Sequence, residues 1–518
     1  MIPKYAPAVA LAVITVVFAA LNISLVIEAG ALSAPPIYDD NGYLLDAYQR
    51  LAFDGVNSIW SLIGNFLQAP PHSPVETLTV LAGYSIFDRG NEGPYIAKVW
   101  VLAAYAAIMF KVARDRLSPW ASLAVVTVML FVPAAGAIMG ELRPDLTAGL
   151  FFGFAGYLLI LKPIEGRSIA WTLALGVFCA LACVIKLSAV VITVPMLGAA
   201  YLLSSGLSWR IDLKRAVALS AGALSVLVPV ALRWGPQTYT YVWNALVTNK
   251  DIWYTAGGWG YHLAYSAFGD GGGRALGPFF WSGALLIAAD IVISLVRPKE
   301  PFARAVAYYI WCGIIFLGIA SAADKSIYQS SFFFFPFLIA SVIAAGRLLG
   351  RLPSRWEAAP ALGALAVCLA FLPAANTYQL NQHRAYTQPM LAQISPIIAE
   401  ASAAVPACSG ETHALSVVGP YPITAEAVAL DVAQRFGART TIYHLFIMRS
   451  YEEMMGFIDR SNFVVFPNEE GMKEAVNQHL PGVQFSDQIR EALSRDDRWE
   501  GLSIEAADPL MVFTRRAC

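Results

Sequence analysis

The stretch IYDDNGYLLDAYQRL, residues 37–51, sets two adjacent carboxylates, Asp39 and Asp40, beside the aromatic Tyr43. One aspartate is enough to cap a helix, so the pair exceeds that structural need and offers a general base. In PPHSPVETL (70–78), Pro70, Pro71 and Pro74 forbid a continuous helix and hold His72 and Glu76 near the surface. GELRPDL (140–146) turns at Pro144 between Arg143 and Asp145. Either these two pair with each other, or the planar guanidinium takes a phosphate. Lys186 stands in ACVIKLSAVV, and DKSIYQSSFFFFP (324–336) groups Asp324, Lys325 and Tyr328. Trp253, Tyr254, Trp259, Tyr261 and Tyr265 crowd residues 234–277, as stacking faces for sugar rings or as interfacial anchors. A carboxylate that takes a hydroxyl proton, with fixed cations that hold a phosphate leaving group, suits one reaction class. That class is transfer from a membrane-bound phosphate donor to an acceptor hydroxyl.

The elements that must position these residues are membrane helices. Of 518 residues, 57% are hydrophobic and only 14% charged, and mean hydropathy is +0.57, which excludes an ordinary soluble chain. A net charge of −1 leaves no footprint for nucleic acid. A span needs about 20 apolar residues. Eleven stretches qualify: 7–28, 94–113, 118–139, 145–161, 168–185, 187–206, 214–233, 278–296, 303–322, 330–348 and 357–375. The first is too long for a secretory signal and reads as a retained helix. Lys and Arg cluster at one set of helix ends, as at Lys111, Arg114 and Arg116 or Arg347, Arg351 and Arg355. That side is cytoplasmic, which places the N-terminus inside and the C-terminus outside. The short outer turns hold Arg143, Lys186 and Lys325, each a lone cation at the mouth of a helical pair. One alone reads as snorkelling; three together point to an anion site.

Three larger pieces lie outside: residues 29–93, 234–277 and a tail from 377. Helical spacing of Leu44, Leu45, Tyr48 and Leu51 makes 37–51 an interfacial helix on the outer leaflet. The chain thus divides into a transmembrane catalytic domain, 1–376, and a soluble α/β domain, 377–518. In the tail, strands are expected at 412–418, 462–467 and 509–514, and helices at 425–437, ended by Gly437, and 469–479. Cys179, Cys183, Cys312 and Cys368 fall within spans as small apolar residues, whereas Cys408 and Cys518 face an oxidising space and are candidates for a disulfide. Asp290, in the inner half of its span, is a functional candidate by position.

In their order, these features resemble the GT-C superfamily of integral-membrane glycosyltransferases, specifically the protein-mannosyltransferase-like branch that uses polyprenyl-phosphate-linked sugars. In that branch the first outer loop opens with an acidic pair and an aromatic residue, as in YDDNGY (38–43), and a Pro-Pro segment follows, as at Pro70 and Pro71. An Arg-Pro-Asp turn closes the next helical pair, as at Arg143, Pro144 and Asp145. A Lys heads a later helix, as Lys186 does in VIKLSAVVITVP, and a basic, aromatic lead enters a proline-containing span, as at Lys325, Tyr328 and Pro336. The resemblance covers residues 1–350; the tail matches no pattern of that branch. It implies an α-helical polytopic membrane fold and an inverting transferase; the short cytoplasmic loops resemble those of plasma (inner) membrane proteins, which makes the tail domain periplasmic or otherwise extracytoplasmic. Asp39 would be the base and Asp40 its neighbour, with Arg143, Lys186 and Lys325 on the donor phosphate. Tyr43, His72, Glu76, Asp145, Tyr328, Trp253, Tyr254, Trp259 and Tyr261 are the candidate substrate contacts. The partners would be a polyprenyl-phosphate-linked sugar, a glycan, lipid or protein acceptor, and the bilayer. Asp39 and Asp40 could hold a divalent ion, but cations suffice for a monophosphate and no obligatory cofactor is expected. The competing reading, a flippase of lipid-linked saccharides, would need polar groups lining a path through the membrane.

Overall fold

The computed structural model describes residues 5–28, 40–87, 90–162, 164, 166–204, 212–248, 250, 252, 257–269, 272–296, 302–322, 329–353, 356–371, 403, 413–419, 425–466, 480–504 and 510–516. Helices dominate as far as residue 371, because long apolar runs must satisfy their backbone internally in lipid. In chain order these are α1 (Ala6–Glu28), α2 (Asp40–Ala52), α3 (Ile59–Gln68), α4 (Pro74–Ile86), α5 (Glu92–Ala97) and α6 (Val99–Arg114). There follow α7 (Pro119–Leu130), α8 (Pro133–Gly140), α9 (Pro144–Leu161), α10 (Ile169–Val184), α11 (Val190–Ser204) and α12 (Leu213–Trp243). The series closes with α13 (Trp259–Phe268), α14 (Gly273–Leu276), α15 (Pro278–Val296), α16 (Phe302–Ser321), α17 (Ser331–Leu349) and α18 (Ala359–Phe371). Each of the eleven expected stretches contains helix among the described residues. Among the described residues, eight helices are long and apolar enough to cross a membrane, and α7 with α8 would make a ninth, bent by 67°. Pro133 at the start of α8 accounts for that bend. α10 and α18 are apolar but shorter.

Two corrections concern the region between α1 and α6. The apolar face of α2 does not lie on lipid: Leu44, Leu45 and Tyr48 are buried against Ala429, Leu430 and Ala433 of the C-terminal region. The interfacial face belongs instead to α3, which Ser58 and Ser61 cap reciprocally and which leaves Ile59, Trp60, Ile63 and Leu67 exposed. Its buried Phe66 lies under the Arg50 guanidinium, 5.2 Å from the ring centroid, and Trp234 of α12 donates to the Phe66 carbonyl at 3.1 Å.

The central seam of the bundle is α9 against α17. A Cβ on Gly149 would stand 2.4 Å from the Ser331 carbonyl oxygen, and one on Gly153 would stand 2.9 Å from the Pro336 nitrogen. Only glycine permits backbones to meet this closely. The Ser331 hydroxyl then donates to the Asp145 carbonyl at 2.7 Å, which fixes the Arg143–Pro144–Asp145 turn at the head of α9.

The C-terminal region holds one five-stranded sheet, in the order β2-β1-β3-β5-β4. Its strands are β1 (His413–Val417), β2 (Thr440–His444), β3 (Phe463–Val465), β4 (Trp499–Ile504) and β5 (Leu510–Arg515). β1 pairs in parallel with β2 and β3, and β5 runs antiparallel to β3 and β4. The helices α19 (Ala425–Phe436), α20 (Tyr451–Ile458) and α21 (Ser486–Arg495) complete the α/β fold. α19 ends at Gly437 with φ 62°, the left-handed cap expected of that glycine. Three strands and one helix fall where the sequence places them; β2, β4, α20 and α21 are additional. The 376/377 boundary, the 469–479 helix, Cys408 and Cys518 lie outside the described residues.

The sheet domain rests on α2. Besides the apolar contact, the Gln49 side chain donates to the Thr440 carbonyl at 2.9 Å, Gln434 donates to Asn91 at 2.9 Å, and Arg439 pairs with Asp54. Burying a leucine such as Leu44 is worth about 1.5–3 kcal/mol, so this contact is a cohesive interface.

Candidate active site

Four segments distant in sequence meet at the end of the bundle that carries the sheet domain. Asp40 opens α2, and its Oδ2 accepts hydrogen bonds from the Tyr95 hydroxyl at 2.9 Å and from the Leu142 backbone N–H at 3.0 Å. Its Oδ1 stands 3.5 Å from Arg143 Nε, and both side chains are buried. The proline turn makes this possible: Arg143 is in extended backbone just before α9, so its guanidinium turns back toward α2 while Asp145 turns away from it. Asp145 then pairs with Lys186, Nζ to Oδ1 at 2.5 Å.

Of the cations expected to stand alone, Arg143 and Lys186 are therefore engaged, and neither the Arg143–Asp145 pair nor simple snorkelling describes them. The pairing is crossed: Arg143 with Asp40, and Lys186 with Asp145. α4 ties the two pairs together. Ser73 donates to the Ile185 carbonyl at 2.7 Å, one residue before Lys186, and the Thr77 hydroxyl donates to Asp46 of α2 at 3.0 Å.

Glu76, expected near the surface, is 1% exposed, and its partner Lys98 is 0% exposed. Lys98 Nζ donates to both carboxylate oxygens, at 3.0 and 3.1 Å. Burial pushes the Glu76 carboxyl above its usual range, and the charge and hydrogen bond of Lys98 offset this only in part; Asp40 and Asp145 add to the rise. Glu76 thus belongs to the same electrostatic cluster, but as a buried pair. His72 is exposed at the rim, its ring 4.5 Å from that of Tyr241 on α12 and 6.5 Å from that of Tyr43. These three rings form the aromatic lip nearest Asp40. Trp259 and Tyr261 sit elsewhere, exposed on α13, which packs on α16. Asp39, Lys325, Tyr328, Trp253 and Tyr254 lie outside the described residues.

Three participants escaped the sequence reading. Tyr95 and Lys98 enter from the short segment between α4 and α6, and Glu141 is buried in the same turn as Arg143. Lys98 carried a signal, as a cation heading the apolar run VWVLAAYAAIMF; Tyr95 carried none. Asp290 is resolved as structural: Arg347 Nε lies 2.7 Å from its Oδ2, and the Tyr309 hydroxyl donates to the same oxygen at 2.9 Å. A paired acid of this kind locks three helices together.

Comparison with known proteins bears on the fold. Residues 71–234 match the family described as dolichyl-phosphate-mannose-protein mannosyltransferase. ArnT from Cupriavidus metallidurans, solved bound to undecaprenyl phosphate, superposes with a TM-score of 0.56 at 13% identity, with 99% of each chain covered. The chain has a GT-C-like fold and resembles the mannosyltransferases. ArnT in its apo state gives a TM-score of 0.53 at 14% identity over 96% of this chain and 97% of that one. The oligosaccharyltransferase of Archaeoglobus fulgidus, in complex with zinc and sulfate, gives 0.50 at 12% identity over 96% of this chain and 72% of that one. No curated protein matches in sequence. The GT-C-like chain is accordingly a multi-pass membrane protein whose C-terminal sheet domain lies at the end of the bundle where Asp40, Arg143 and Lys186 gather.

Proposed function

We propose that this chain is a membrane glycosyltransferase that moves a sugar from a polyprenyl-phosphate donor to an acceptor hydroxyl on a lipid, glycan or protein. The reaction takes place at the extracytoplasmic face of the plasma membrane, between the 1–376 catalytic domain and the 377–518 soluble domain, and inverts the sugar carbon. The observation that carries this reading is the convergence of Asp40, Arg143, Asp145 and Lys186 from distant segments into one charged cluster. The mannosyltransferase family match and the undecaprenyl phosphate bound by ArnT support a lipid-linked donor.

In this mechanism the donor phosphate takes the place that each cation now gives to a carboxylate. Arg143 and Lys186 turn from Asp40 and Asp145 to the phosphate oxygens and stabilise the charge that grows as the leaving group departs. The acceptor oxygen bonds to the anomeric carbon, the bond from that carbon to the phosphate oxygen breaks, and its electron pair leaves with the polyprenyl phosphate. The acceptor proton passes to Asp39 as base, and Asp40 is its oriented neighbour. Two cations balance a monophosphate, so the mechanism requires no divalent ion. No observation favours the flippase reading, since Asp290, an acid deep in an expected span, is committed to Arg347.

The test uses the full-length protein in detergent and undecaprenyl phosphate as probe. Arg143→Gln and Lys186→Gln should each weaken its binding at least tenfold, in step with loss of sugar release from a radiolabelled polyprenyl-phosphate sugar. Wild-type affinity in both variants would remove the basis for the assignment.

A further inference from the structure

The parallel part of the sheet is doubly wound. From β1 the chain crosses through α19 to β2 on one side, then returns through α20 to β3 on the other. Open α/β sheets bind ligands outside the carboxyl ends of their strands, where the winding changes direction. Here that point lies between β1 and β3, and the end of β2 lies one strand away across β1, since Val417 and His444 are paired in register as the last residues of β1 and β2.

This carboxyl edge lies against the segment that follows α12 and the first turn of α2. Ile252, from the segment between α12 and α13, packs with Val483, Phe446 and Ile447 just beyond β2, and Arg449 donates to the Thr248 carbonyl at 3.0 Å. On the other flank, Glu426 in the first turn of α19 approaches α2: its Cγ lies 4.0 Å from the place a Cβ on Gly42 would occupy. Gly42 lies two residues from Asp40 and adjoins Tyr43, whose ring faces His72.

Two polar side chains meet on this edge. His444 Nε2 lies 3.1 Å from Glu426 Oε1, with 36% and 24% of the side chains exposed, so both groups reach water. Burial acts to raise the Glu426 carboxyl, but the hydrogen bond and charge of His444 outweigh it and hold the group below its usual range. A charged acceptor beside an imidazole donor offers hydrogen bonds for vicinal hydroxyls, and the His444 ring, 5.2 Å from that of Phe446, offers a flat face for a sugar ring.

We propose that Glu426 and His444 form a saccharide subsite at the carboxyl edge of the C-terminal sheet, which holds the hydroxyls of a glycan acceptor against the α2 side of the mouth. The inference rests on the glycosyl-transfer reading and adds to it both the acceptor class and the residues that select it. The soluble domain then supplies half of the reaction centre, as a substrate-holding surface.

The experiment measures saturation-transfer NMR between full-length protein in detergent and a mixture of methyl glycosides of mannose, glucose, galactose and arabinose. Undecaprenyl phosphate binding is followed separately on the same preparations. The wild type should give saturation transfer, while Glu426→Gln and His444→Gln should each reduce it at least fivefold and keep wild-type affinity for undecaprenyl phosphate. Arg490→Gln, on the exposed face of α21, should match the wild type in both. Saturation transfer absent from the wild type, or undiminished in both variants, overturns the subsite. Loss of saccharide and undecaprenyl phosphate binding together also overturns it, by showing that the pair only supports the fold. Failure of the wild type to bind undecaprenyl phosphate would instead strike the donor assignment, and the saccharide arm would still decide the subsite.

Discussion

Replacing Lys98 with Met leaves the Glu76 carboxyl buried without its cation. When unfolded, Glu76 titrates near its ordinary value of 4.5; when folded, burial raises it, and the substitution removes the charge that opposed the rise. Between those two values the folded state binds one proton more than the unfolded state, so stability falls as pH rises. The slope is at most about 1.4 kcal/mol per pH unit, and measurements at pH 5.5 and 7.5 sample it. Below 4.5 both states are protonated and the penalty vanishes. In Glu76→Gln/Lys98→Met no carboxyl titrates, and this slope is absent. Unfolding by SDS in dodecyl maltoside, followed by tryptophan fluorescence, measures both variants at the two pH values. Parallel behaviour of single and double variants would mean that the Glu76 site is wet, and the account of a buried, mutually dependent pair would be wrong.

Asp39→Asn should lower sugar transfer by about 10²–10⁴-fold, and Tyr95→Phe, which deletes one hydrogen bond to the Asp40 carboxylate, by roughly 10-fold; steady-state kinetics should show both in kcat with little change in donor KM. Gly149→Val forces a side chain into the Ser331 carbonyl and should cost at least about 1–3 kcal/mol of stability, read as an earlier SDS midpoint; an unmoved midpoint would contradict the close α9–α17 approach. The lowered Glu426 carboxyl contributes stability that is fully present above 4.5 and is lost as pH falls through the folded value. Limited proteolysis of the C-terminal domain should therefore quicken on acidification in the wild type and less so in Glu426→Gln. EDTA treatment should leave transfer intact, as assayed by release of labelled polyprenyl-phosphate sugar; abolished activity restored by a divalent ion would point to a metal-dependent centre.

Much of the helical layout was legible because lipid imposes a length and an apolar composition that sequence displays directly. Arg143, Asp145 and Lys186 were legible for the converse reason, as charges set among apolar residues. Their partners were not. Asp40 and Leu142 lie 102 residues apart, and nothing local says that the α2 carboxylate meets that turn. Crossed pairing was hidden for the same cause, since Arg143 and Asp145 look like natural partners until Pro144 splays them. α2 was misassigned because an apolar stripe looks the same under lipid or under a second domain; only the position of α19 decides between them. β2, TTIYH, follows the Gly437 cap within three residues and carries β-branched and aromatic character that its brevity concealed.

The seam between α9 and α17 has a consequence for how a long isoprenoid reaches the centre. Two backbones in direct contact leave no gap to widen, so the wall behind Arg143 and Asp145 cannot serve as a gate. α10 and α12 are joined in the same way, since a Cβ on Gly176 would stand 2.1 Å from the Leu219 carbonyl oxygen and one on Gly222 2.1 Å from that of Leu173. On the proposed function, the donor's tail would have to pass between helices that carry no such weld.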